Sequence, residues 1–205
     1  MERLLGREHP DTLTTRSDLA RFTGQAGDAV SARDQFAALL PLRARVLGPD
    51  HPDTLTTRSD LALWTGLAGD PVSARDQFAA LLPIRARLLG PRHPRTLAAR
   101  NNLAYWAGRA GDAEWARDQF AALVPIYEEV FGPKHPETLN TRANLATWTG
   151  EAGDTAAARD QYADLLPACE RVLGPDHPDT VAARQSLASW SKNTGERRKR
   201  WRARL

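Results

Sequence analysis

A chain of 205 residues with 41% hydrophobic and 26% charged side chains has the composition of an ordinary folded protein. No run of about 18 apolar residues exists to form a transmembrane helix, and Met1–Gly6 carries no apolar signal core. The formal charge of +3 is misleading: residues 196–205 hold six basic side chains and one acid, and taking these from the 28 basic and 25 acidic residues leaves 22 against 24. The single Cys169 cannot form an internal disulfide, which fits a reducing, cytoplasmic compartment. Twenty-five arginines against 3 lysines suggest a GC-rich bacterial genome.

A strict internal period of 42 residues organises the chain. His9, His51, His93, His135 and His177 stand in register, as do Thr12, Thr54, Thr96, Thr138 and Thr180, and every glycine recurs at the same spacing. Residues 1–5 align with the tail of a second helix, so the chain begins inside a unit. The third unit shows the pattern of the complete ones. Its first helix opens at Pro94, because proline tolerates a first turn where no N–H partner is available anyway. Asp11, Asp53, Glu137 and Asp179 place an acid next to that proline, favourable at the positive end of a helix dipole. Arg95 breaks the pattern. Leu97, Leu103, Ala104 and Ala107 mark one apolar face, and the helix is expected to end near Gly108 in a left-handed glycine turn.

The second helix is expected over residues 113–131, with Ala116, Phe120, Leu123 and Tyr127 as its buried stripe. Pro125, like Pro41, Pro83 and Pro167, falls inside it. The apolar spacing continues through this proline, which predicts one kinked helix rather than two pieces. In the last unit a first helix is complete at Trp190, after which Lys192 takes the place of a glycine and basic residues replace the apolar stripe. The predicted organisation is one helical array over residues 1–195, with four complete units and partial units at both ends, followed by a basic tail at 196–205.

The set Asn102-Leu103-Ala104, Gly111, Ala116 and Phe120 resembles the tetratricopeptide repeat. The usual unit has about 34 residues; the longer second helix and the Leu-Gly-Pro-x-His-Pro connector make this one similar to the kinesin-light-chain class. The resemblance implies an all-α, right-handed superhelical solenoid of antiparallel helix pairs. It also implies a concave groove, lined by first helices, that binds peptides or protein segments without catalysis or cofactor.

On that resemblance the groove carries Asn101, Asn102 and Tyr105 in the third unit and Asn144 in the fourth. The Asn102 position reads Asp18 and Asp60 earlier in the chain, so the N-terminal half should prefer basic or N–H-rich segments. The Tyr105 position reads Arg21 and Leu63 there, and specificity is expected to be written at it. Members of the family that clamp a terminal carboxylate do so with lysines and arginines, and the corresponding residues here are mostly Ala98, Asn101, Ala143 and Thr56. Phe22, Trp64, Trp106, Trp148 and Trp190 form an aromatic series read as packing between units rather than as ligand anchors. Arg16, Arg58, Arg100, Arg142 and Arg184 fall on the buried side and require carbonyl or carboxylate partners, the latter possible from Asp34, Asp76, Asp118 and Asp160.

No metal site is expected. Each histidine is alone in its unit, whereas a metal needs several ligands within about 2.0–2.3 Å of one ion. The Gly-x-x-Gly turns lack the context of a phosphate loop, and no unique nucleophile is paired with a base. Cys169 reads as a partly buried bystander. The functional expectation is a non-enzymatic scaffold for a protein or peptide ligand, with self-association possible through open array ends. The alternative is a sensor fragment of a larger bacterial STAND-type signalling ATPase. Nucleic-acid binding would rest on the basic tail alone, which reads as a frayed terminus.

Overall fold

The computed structural model describes Gly6 and residues 8–202, with side chains described as far as residue 192. Expectations about residues 1–5 and about the side chains of the tail fall outside these described residues. Among them the chain forms nine helices: α1 (Pro10–Gln25), α2 (Ala29–Leu47), α3 (Pro52–Leu67), α4 (Pro71–Leu89), α5 (Pro94–Arg109), α6 (Ala113–Phe131), α7 (Pro136–Glu151), α8 (Thr155–Val172) and α9 (Pro178–Arg202). Helices consecutive in sequence pack on one another, from α1 to α4 and again from α6 to α9. Two compact units result, one running to Trp106 and the other starting at Ala107.

Local chemistry fixes where each helix starts. His9 Nδ1 accepts the Asp11 backbone N–H at 3.3 Å, and His51, His93, His135 and His177 repeat the contact at 3.1–3.2 Å. These histidines are helix caps. The second helices start on aspartates: Asp28, Asp70, Asp112 and Asp154 accept from the amide three residues on, at 2.9–3.2 Å. The prolines at 41, 83, 125 and 167 lie within unbroken helices, so the second helix is one piece, as the apolar spacing predicts.

The turn between helices differs from expectation in one respect. The left-handed residue is Gly111 (φ 109°), whereas Gly108 remains helical inside α5. The reason for the second glycine series is steric. A Cβ at Gly24 would lie 2.3 Å from the Trp64 ring, at Gly66 2.4 Å from Trp106, and at Gly108 and Gly150 2.6 Å from Trp148 and Trp190. Each indole lies face-on against helix backbone, and only glycine leaves room for it.

The core follows from this contact. In the first repeat Leu13, Ala20, Ala32, Phe36 and Leu39 close on Trp64 from the next repeat. In the second, Leu55, Ala62, Ala74, Phe78 and Leu81 close on Trp106. Burial of each large side chain stabilises the fold by roughly 1.5–3 kcal/mol. Because the closing ring belongs to the following repeat, each module's stability depends on its neighbour. Trp64, Trp106 and Trp148 are 8%, 2% and 5% exposed, while Phe22 at the head of the series is 67% exposed.

Candidate functional site on the polar face of the first helices

Asp18, Arg21, Asp60 and Leu63 lie on α1 and α3, Asn101, Asn102 and Tyr105 on α5, and Asn144 on α7. Three of these side chains meet. Arg21 Nη2 donates to Asp60 Oδ2 at 2.8 Å, and Arg21 Nη1 to Asp18 Oδ1 at 3.3 Å, so one guanidinium links carboxylates on successive first helices. The local charge is therefore smaller than the two aspartates alone suggest. Burial pushes the Asp60 carboxyl above the usual aspartate value, against the opposing hydrogen bond from Arg21 and the charges of Arg21, Arg43 and Arg85.

Leu63 and Tyr105 are half-buried beside the core cluster of the second repeat, with the Tyr105 and Trp106 rings edge to face, 5.0 Å apart. Asn101 is half-buried on α5. Asn102 Nδ2 donates to its own helix at the Ala98 carbonyl, 2.9 Å away, which leaves Oδ1 to accept a ligand N–H. Asn144 Nδ2 bonds to Asn140 Oδ1 at 3.2 Å. Beside it the Thr147 and Tyr162 hydroxyls lie 2.6 Å apart, and Tyr162 also donates to the Ala143 carbonyl at 3.0 Å.

Beneath this face lie two residues that the sequence reading missed. Arg43 and Arg85 are 4% and 6% exposed. Arg43 Nη1 donates to the Asp53 carbonyl at 3.2 Å and to Thr57 Oγ1 at 2.8 Å, while Nη2 reaches the Leu13 carbonyl at 3.2 Å. One guanidinium thus ties α2 to both α1 and α3. Arg85 Nη1 and Nη2 reach the Arg95 and Leu55 carbonyls at 2.8 and 3.2 Å. Burial lowers the pKa of both guanidinium groups. The clue was present in the register, since Arg43 and Arg85 align with Tyr127, which the apolar stripe placed inside.

The arginines expected inside are elsewhere. Arg16, Arg58, Arg100 and Arg142 are half-buried and Arg184 is exposed, bonding to Glu170 Oε1 at 2.7 Å. Asp34, Asp76, Asp118 and Asp160 are exposed and pair with their chain neighbours Arg33, Arg75, Arg117 and Arg159 at 2.5–2.8 Å. Cys169 is fully buried rather than partly so, and burial pushes its thiol up, away from the reactive thiolate. Among the described residues no group of three or more His, Cys, Asp or Glu is placed to hold a metal ion, and no helix is long and apolar enough to cross a membrane.

Capped helix pairs repeated in tandem, with each indole seated on the glycine of the previous repeat, define an α-solenoid of a class that generally mediates protein interactions. The sequence pattern of the tetratricopeptide repeat matches residues 11–87, 68–129 and 108–171, and the chain belongs to that family. A Podosopora anserina protein assigned as a kinesin light chain, with nearly identical TPR-like repeats, is similar in fold. It has 24% identity, 94% of this chain and 91% of that one covered, and a TM-score of 0.75. BtubC (BKLC) from P. vanneervenii is also similar, at 21% identity, with 94% and 80% covered and a TM-score of 0.74. No curated protein matches the sequence.

Proposed function

We propose that the chain is a non-enzymatic docking scaffold that binds an extended protein segment on the polar face of its first helices. Family membership and the composition of that face support this reading. The observation that carries it is the Asp18–Arg21–Asp60 network, a polar arrangement of half-buried Arg21 and Asp60 with exposed Asp18 that varies from repeat to repeat while the scaffold does not. Beside it Leu63 and Tyr105 offer apolar surface, and Asn102 Oδ1 offers an acceptor for a backbone N–H. Asn144 supplies a comparable amide in the second unit. Each such hydrogen bond would contribute roughly 0.5–1.5 kcal/mol net, so affinity needs several together with apolar anchoring. Affinity capture from the native lysate tests the assignment. Asn102→Ala with Asn144→Ala should lower the yield of captured protein while thermal unfolding stays within a few degrees of wild type; an unchanged yield rejects it.

A further inference from the structure

Cys169 is the shortest side chain at its place in the repeat. Arg43, Arg85 and Tyr127 hold the same buried position in the three repeats before it, each with a much longer side chain. The difference shows in the cavity beside that position. In the second repeat a cavity of about 230 Å³ is walled by Pro52, Leu55, Arg85, Leu89 and Arg95 and takes in Asp50 from the connector. Thr56 and Ser59, on the first helix of that repeat, are not part of its wall.

In the fourth repeat the residues in the same register, Pro136, Leu139, Cys169, Leu173 and Asp179, wall a cavity of about 110 Å³. This one takes in Asn140 and Ala143 of α7, which align with Thr56 and Ser59, and Ala182 of α9. Asn140 lies one helical turn before Asn144, so the cavity reaches the first-helix face proposed above for docking. Where the long guanidinium of Arg85 closes that side, the short thiol leaves it open.

Floor and rim differ in chemistry. Leu139, Cys169 and Ala183 are buried and make an apolar floor, while Asn140 and Asp179 on the rim are exposed and reachable from solvent. Asn140 Oδ1 accepts from Asn144 Nδ2 at 3.2 Å, which leaves Asn140 Nδ2 to donate. Asp179 Oδ2 lies 3.8 Å from His177 Nδ1, but that nitrogen already accepts the Asp179 backbone N–H at 3.2 Å. It has no proton to share with the carboxylate, which stays able to accept from a ligand. One donor and one acceptor thus flank an apolar floor, the pattern that one residue of an extended chain presents in reverse with its N–H, C=O and side chain.

We propose that this cavity anchors one short branched aliphatic residue, leucine or valine, of the extended segment docked on the first helices. The side chain rests on Leu139, Cys169 and Ala183, its carbonyl accepts from Asn140 Nδ2, and its N–H donates to Asp179. Size sets the choice of side chain. An apolar cavity of about 150 Å³ admits benzene, so this smaller one excludes a phenyl ring. The inference rests on the docking reading above, yet the two fail separately. Lysate capture indifferent to Asn102→Ala with Asn144→Ala rejects the face, whereas the titration below rejects the cavity.

The test is a titration of the isotope-labelled full chain with N-acetyl-leucine N-methylamide and with its phenylalanine counterpart, read by amide chemical shifts at Ala143, Ala182 and Ala183. The leucine amide should saturate with a midpoint at least fivefold below that of the phenylalanine amide, although both side chains are strongly apolar. Cys169→Tyr installs the residue that the third repeat carries there and should abolish the preference. Asn140→Ala, at an exposed position, should raise the leucine midpoint at least threefold, and it carries the test if Cys169→Tyr fails to fold. Equal midpoints for the two amides, shifts that do not saturate, a preference that survives Cys169→Tyr in the folded protein, or a leucine midpoint unchanged in Asn140→Ala would overturn the proposal.

Discussion

The two compact units use one scaffold and differ in what they place at equivalent points. At the buried position near the end of the second helix, the first unit has Arg43 and Arg85, the second Tyr127 and Cys169, all nearly inaccessible to solvent. A charged fork that ties three helices through carbonyls, an aromatic ring and a thiol serve the same site. The requirement there is that space be filled and any polar atom be partnered, not that a particular chemistry be present. The polar faces diverge in the same way: an ion network at Asp18, Arg21 and Asp60 in one, a hydroxyl and amide cluster at Thr147, Tyr162 and Asn144 in the other. By contrast the glycine–indole contact and the Asp caps are kept in both units. What holds the repeats together is constant, and what each repeat displays is free to change.

If that division is right, damage to the constant part should dominate. Trp106→Ala removes the ring that closes the second core cluster and should cost about 3–5 kcal/mol, measured by chemical denaturation. Gly66→Ala drives a methyl group into the same ring and should cost about 1–3 kcal/mol, from overpacking rather than from a cavity. Changes in the variable part should be smaller. Arg85→Met keeps the volume and removes the charge, and should shift stability by no more than about 1 kcal/mol in either direction, as replacement of buried ionic groups by apolar ones often does. Phe22→Ala, at the exposed head of the aromatic series, should fall within about 0.5 kcal/mol of wild type.

Acid titration probes the caps. The backbone and side-chain hydrogen bonds of Ser31 and Ser73 hold the Asp28 and Asp70 carboxyls below the usual aspartate value. Their contribution is therefore complete above the unfolded pKa of about 3.9 and is lost as pH falls through the lower folded value. Asp60 has the opposite sign: its raised pKa means that protonation favours the folded state as pH falls through it. Asp28→Ala with Asp70→Ala should flatten the loss of unfolding free energy on acidification below about pH 4, whereas Asp60→Asn should remove a gain in stability that acidification brings above about pH 4.

Much of this fold was legible in the sequence because the repeat samples each position several times. Helix starts at Pro94 and Ala113, the unbroken helices through Pro41 and Pro125, and the stripe Ala116, Phe120, Leu123 and Tyr127 all followed from periodicity and turn chemistry. Two things did not. The role of Gly108 was misread because a conserved-spacing glycine near a helix end looks like a left-handed cap, and only the neighbouring repeat reveals the indole of Trp148. The buried arginines were sought on the first helices, where Arg16 shares a face with apolar residues, while the enclosed position was the one aligned with Tyr127. Helical periodicity assigns a side chain to a face; enclosure depends on which helix packs over that face. For the polar face, spacing selected residues that share a surface, but the bridging of Asp18 and Asp60 by Arg21 depends on the distance between two helices, which no local pattern encodes.

The most direct test of the docking reading is site-specific photo-crosslinking in native lysate, with a benzophenone amino acid at Leu63 on the polar face or at exposed Asp76 on α4. A discrete crosslinked protein band is expected from Leu63, absent from Asp76 and diminished when Asn102→Ala is added. Equal bands from both positions, or a Leu63 band indifferent to Asn102→Ala, would contradict it.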